Sequence, residues 1–164
     1  MHKTVKTNPA LLWLIAVWSI GASLGFMVAS GNADALAASL RMSENMDGSV
    51  LVLSAIVPIF AVYLFSQFHL HGLIFPVMFL KSVTDSILLI GICAAFGSAA
   101  WLAGALLLFS DKIATVLLLY FAGKCLSEPK YSQTARFVSF VLAIAAVIAV
   151  DRFCISPYFM NLML

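Results

Sequence analysis

The stretch FPVMFLKSVTDSILLIG, Phe75–Gly91, sets a lysine and an aspartate four residues apart in an otherwise apolar run. An ion left alone in hydrocarbon costs about 2.5 to 3.5 kcal/mol on insertion scales. Whether that cost applies here depends on the surroundings of the run, and composition gives the first indication. Of the 164 residues, 63% are hydrophobic and 10% are charged, and mean hydropathy is +1.09. Soluble domains carry roughly 25% charged residues. Too few polar side chains remain to cover a water-exposed surface, whereas a lipid-embedded chain needs them only at its two faces. The reading is a single integral membrane domain over residues 1–164.

Crossing a hydrocarbon core of about 30 Å takes about 20 helical residues. Five segments qualify: Ala10–Ala29, Ser49–Phe65, Leu73–Phe96, Ala99–Gly123 and Phe137–Ile155. Alternating-polarity strands of the kind a membrane barrel needs are absent from the sequence. The expected fold class is therefore all-α, a polytopic membrane helix bundle of about five transmembrane helices. The first segment is too long for the apolar part of a secretory signal and is expected to stay as an anchor.

Basic residues set the expected orientation. Lys3, Lys6, Lys124, Lys130 and Arg136 flank one side of these spans and Arg41 and Arg152 the other. That bias places the N-terminus in the cytoplasm and the C-terminus outside. The outward segment 32–48 then holds a short interfacial helix, with Asn32 or Asp34 as its cap, Leu36 and Leu40 on one face, and Gly48 at its end. It is read either as a loop resting on the bilayer or as a partner-binding surface, and its slightly acidic balance points to no nucleic acid.

At i,i+4 spacing Lys81 and Asp85 share a helix face and can neutralise each other. Ser82, Thr84 and Ser86 make the same stretch small and polar, which suits a helix interface better than lipid. The two readings are a buried, internally paired seam and a polar intramembrane path. The run FSDKIA, Phe109–Ala114, interrupts the fourth span with Asp111 and Lys112. A crossing, broken or bent helix is expected there, because a re-entrant hairpin would put Lys124, Lys130 and Arg136 outside. Asp111 is also a geometrically possible partner for Lys81. Gly21 and Gly25 form a small-xxx-small face that marks a helix contact.

Catalytic and cofactor signals are poor, so no enzyme activity, cofactor or metal is expected. His69 and His71 have no further ligand nearby in sequence. Cys93, Cys125 and Cys154 are odd in number and mostly within spans, and read as free buried thiols.

IGASLGFMVAS in the first span, MFLKSVTDS in the third, and VDRFCISPYFMNLML at the end resemble the stage II sporulation protein M family, over nearly the whole chain. In that pattern Asp151, Phe153, Ile155, Ser156 and Pro157 stand for the terminal acidic, aromatic, hydroxyl and proline run. The chain departs from it in having Ser82 and Ser86 for glycines, Asp85 as an added charge, Asp151 for glutamate and FSDKIA for a proline-containing break. Those departures fit a divergent paralogue. The resemblance implies a multi-pass protein of the bacterial cytoplasmic membrane, a non-enzymatic scaffold in sporulation engulfment and peptidoglycan remodelling. Its implied partners are a cell-wall amidase and a lytic transglycosylase. Recruitment would fall to Leu36, Leu40, Tyr158 and Phe159 on the outward side. The alternative is a permease-like or accessory subunit working with a transporter ATPase, in which Lys81, Thr84, Asp85, Asp111 and Lys112 line a path.

Overall fold

The computed structural model describes residues 9–42, 48–97, 109–127, 133–151 and 153. Among these the chain is all-helical. The helices are α1 (Pro9–Ser30), α2 (Ala33–Met42), α3 (Gly48–Gln67), α4 (Ile74–Phe96), α5 (Phe109–Ser127) and α6 (Gln133–Val150), with a short 3₁₀ turn at His71–Leu73 before α4. Two stretches, Pro9–Ser30 and His71–Ala95, are long and apolar enough to cross a membrane, with mean hydropathies of 2.0 and 1.8. Ile56–Gln67 and Thr134–Val150 are shorter apolar helices.

The direction of each helix follows from its side-chain contacts. Gly21 lies against Phe79 and Ser82, and Gly25 against Val83 and Ser86, so α1 and α4 run parallel. Gly123 near the end of α5 meets Leu11 and Leu14 at the start of α1. Asp111 at the start of α5 reaches Lys81, beside the Gly21 contact. Helix α5 therefore runs antiparallel to α1 and α4. Tyr63 pairs with Thr134, and its ring stacks on Phe137 with centroids 4.2 Å apart, which sets α3 against the start of α6. Phe121 packs on both Phe137 and Phe140, closing the α5–α6 hairpin. One end of the bundle thus gathers the starts of α1, α4 and α6 with the ends of α3 and α5.

Small residues make the α1–α4 contact possible. A Cβ at Gly21 would lie on the Ser82 hydroxyl and 2.8 Å from the Phe79 carbonyl; at Gly25 it would lie 2.6 Å from the Val83 carbonyl. Ser82, fully buried, turns its hydroxyl to Phe79 O at 2.8 Å and so leaves no polar group unpaired. Elsewhere the core is aliphatic and aromatic: Leu14, Ile59, Met78, Leu118, Phe121 and Ile144 are all essentially inaccessible. The outer face of α1 is the opposite, with Trp13, Ile20, Phe26 and Met27 exposed.

Several boundaries differ from the sequence reading. Of the fourth segment, expected over Ala99–Gly123, the structure describes α5 from Phe109, and residues 98–108 lie outside the described set. The expected break at FSDKIA adjoins residues outside the described set; Asp111 lies in the first turn of the described α5, where a carboxylate suits a helix start. The last helix starts at Gln133 rather than Phe137 and its α-helical part ends at Val150. Segment 32–48 does contain a helix, α2, packed on α4. Asn32 caps differently from expectation: its side-chain amide donates back to Val28 O at 3.0 Å, while its backbone carbonyl accepts from Leu36 N–H. Gly48 opens α3 instead of closing the preceding helix.

The α3–α4 turn is a Schellman motif in which a histidine takes the usual glycine position. Leu70 N–H bonds Phe65 O at 2.8 Å, His69 N–H bonds Ser66 O at 3.3 Å, and His69 has φ 61°. That left-handed conformation costs a residue with a Cβ roughly 1 to 2 kcal/mol.

Candidate functional site

The centre of interest is a cluster of charges between α4 and α5. Lys81 Nζ donates to Asp85 Oδ1 and to Asp111 Oδ1, each at 2.6 Å. Thr115 Oγ1 donates to Asp85 Oδ2 at 3.2 Å. Lys112 Nζ lies 3.5 Å from Asp85 Oδ2 and 3.8 Å from Asp111 Oδ2. Two ammonium groups and two carboxylates thereby form a quartet with no net charge.

Helical spacing explains the convergence. Lys81 and Asp85 are one turn apart on α4, and Asp111 and Thr115 are one turn apart on α5, so each helix presents a two-residue polar face. Both lysines approach both carboxylates, but Lys81 alone of the two does so at hydrogen-bond distance, 2.6 Å to each. Lys81, Asp85, Asp111 and Thr115 are buried. The Lys112 side chain remains 44% exposed at the edge of the cluster. Bond lengths of 2.6 Å at Lys81 against 3.5 Å or more at Lys112 rank the pairs: the inner lysine makes charge-assisted hydrogen bonds and the outer one a looser Coulombic contact.

The residues expected in this polar group do not all join it. Thr84 is exposed and its hydroxyl is spent on Lys81 O at 2.8 Å, so it belongs to the outer side of α4 and not to the seam. At 3.6 residues per turn, residue 84 lies about 60° to the side of Lys81 and about 100° from Asp85, off the 81–85 stripe. Thr115 was missed by the sequence reading, although its i,i+4 spacing from Asp111 would have found it. The other expected surface is partly outside the described residues. Leu36 is half-buried, whereas the Leu40 side chain and both Tyr158 and Phe159 are not described.

The thiols also differ from expectation. Cys125 is buried, but Cys93 is exposed on α4, and Cys154 lies outside the described residues. Cys125 at the end of α5 and Ser66 at the end of α3 are both buried. The His69 and His71 rings stand edge to face with centroids 6.0 Å apart. No group of three or more metal-binding side chains occurs among the described residues.

Comparison with protein-family models, curated proteins and solved structures finds no match to the chain.

Proposed function

We propose that the chain is a multi-pass protein of the bacterial cytoplasmic membrane, with its N-terminus cytoplasmic and its C-terminus outside, acting as a non-enzymatic scaffold for extracytoplasmic partners. The exposed Trp13, Ile20, Phe26 and Met27 on one helix support the membrane reading, because contiguous large apolar surface on a water-soluble monomer is rare. The observation that carries the scaffold reading is the closure of the quartet. Its two positive and two negative groups are matched by each other, and Lys81 is shared between both carboxylates at 2.6 Å. A cluster so balanced works as a fastener between α4 and α5. The resemblance to the stage II sporulation protein M family points the same way and names the partner class, wall-degrading enzymes such as an amidase and a lytic transglycosylase.

The test is recovery of partners from the membrane. Replacing Leu36, Leu40, Tyr158 and Phe159 by alanine should leave the membrane level unchanged and remove co-purifying wall hydrolases. The second reading, a permease-like or accessory transport subunit, is favoured by the 44% exposure of Lys112, which connects the cluster to the surface of the bundle. Solute movement by the purified, partner-free protein in liposomes, or co-purification of an ATPase subunit, would replace the scaffold reading with this one.

A further inference from the structure

The charges of this chain sort by level. At the end where α1, α4 and α6 begin, the described cations are Lys124 in the last turn of α5 and Arg136 in the first turn of α6. They converge on one corner. Lys124 Nζ stands 5.7 Å from the Tyr120 ring centroid, and Phe121 packs on Phe137 with centroids 6.3 Å apart, which sets the last turn of α5 beside the first turn of α6. The adjoining sequence adds Lys3, Lys6 and Lys130 against Glu128 alone. The sequence at the other end carries Asp34, Glu44, Asp47 and Asp151 against Arg41 and Arg152. With the central quartet neutral, the chain's net charge of +2 is a positive excess at one end, reduced by a negative excess at the other.

Arg136 occupies the first turn of α6, where the helix macrodipole disfavours a cation by a few tenths of a kcal/mol or more. An anion beside it would be attracted by the guanidinium and by the helix start together. We propose that this end binds the headgroups of anionic phospholipids, with Lys124 and Arg136 holding the phosphodiester. The inference rests on the membrane reading above, which supplies the lipid. Charge complementarity selects the occupant: basic residues at a bilayer surface each contribute to attraction of anionic lipid, and tyrosines at the same level sit well among headgroups.

The experiment uses the full chain reconstituted into vesicles of phosphatidylcholine with and without phosphatidylglycerol, together with lipid titration in detergent followed by native mass spectrometry. Phosphatidylglycerol is expected to bind in preference to phosphatidylcholine. The K124Q/R136Q variant should weaken that binding by roughly thirtyfold, from about one kcal/mol per basic residue. A well-folded variant is recognised by an unchanged gel-filtration profile. Preference that survives in the variant overturns the assignment to these two residues, and equal binding of both lipids overturns the proposal. Competition by inorganic phosphate at the lipid's own concentration would reassign the corner as a free-phosphate site. Loss of wild-type preference at high salt supports the charge argument without any mutation. Retention in phosphatidylcholine vesicles after an alkaline wash tests the membrane reading separately; a chain that washes off sinks both.

Discussion

Removing Lys81 should do more damage than removing either aspartate it touches. In Lys81→Met, Asp85 and Asp111 remain buried and lose their 2.6 Å bonds together. Lys112 then stays near them at 3.5 and 3.8 Å, half-exposed and beyond hydrogen-bond distance. Breaking a buried pair from one side costs about 3 to 5 kcal/mol, and here two carboxylates are stranded at once, so the upper part of that range applies. In Asp85→Leu or Asp111→Leu, Lys81 keeps its other carboxylate at 2.6 Å, and the loss is closer to that of one charge-assisted hydrogen bond, about 1.5 to 3 kcal/mol.

The combinations sharpen the reasoning. Lys81→Met with Asp85→Leu leaves Asp111 with Lys112 at 3.8 Å, a neutral but long pair. It should recover part of the loss but not all. Removing Lys81, Asp85 and Asp111 together leaves only half-exposed Lys112, whose long stem can carry its charge outward. That triple variant should approach wild-type stability, because replacing buried ions by apolar side chains is often neutral or favourable. The assay is reversible unfolding in mixed detergent micelles, with folded yield by fluorescence-detected gel filtration as a second readout. If Lys81→Met is no worse than Asp85→Leu, Lys81 is not the shared group and the quartet is misassigned.

Other expectations follow from single contacts. Thr115→Val should cost about 1.5 to 3 kcal/mol through its bond to the Asp85 carboxylate, with Thr115→Ser close to wild type; unfolding midpoints compare them. Gly25→Ala should destabilise by about 1 to 3 kcal/mol, since its Cβ would meet a carbonyl that cannot turn aside, while Gly31→Ala, with its nearest neighbour at 3.8 Å, should be tolerated. His69→Gly should stabilise by about 1 kcal/mol by relieving the positive φ, and a loss instead would reveal a role for the imidazole. In a cysteine-free background, an impermeant thiol reagent on intact cells should label cysteines placed at positions 46 and 164 and miss one at position 130. Labelling at 130 would reverse the proposed orientation of that loop.

Much of this architecture was legible because it depends on spacing. Gly21 with Gly25 and Lys81 with Asp85 each announce a feature at a fixed helical interval. What the sequence left open was every choice between partners on different helices. Lys81 with Asp85 and Lys81 with Asp111 stood as alternatives, and the structure has both, because an ammonium with three donors need not choose. Thr84 was assigned to the stripe by proximity in sequence, although three residues from Lys81 its hydroxyl was able to turn back to the Lys81 carbonyl. Cys93 was read as buried from the apolar run around it, yet apolar neighbours do not imply burial when the helix face points away from the bundle.

The quartet's place between α4 and α5 suggests why charges stand where apolar residues would cost less. Apolar side chains on two helices pack in several registers of similar energy, and a shift by one turn, about 5.4 Å, exchanges one such register for the next. The quartet permits one. Lys81 meets Asp111 while Asp85 meets Thr115, and sliding α5 by a turn breaks these contacts while the Lys81–Asp85 pair within α4 is kept, so Asp111 is the carboxylate that loses its 2.6 Å bond. The penalty for misalignment is thus far larger than the stability the cluster adds when correctly aligned. Its position in the first two turns of the described α5 places that constraint at the FSDKIA run. A consequence can be measured: the triple variant lacking Lys81, Asp85 and Asp111 should match wild type in stability but show slower or heterogeneous assembly. Disulfide trapping between cysteines introduced on α4 and α5 would read this out as several cross-linked registers where the quartet-bearing chain gives one. A single register in the triple variant would show that apolar packing alone sets the alignment.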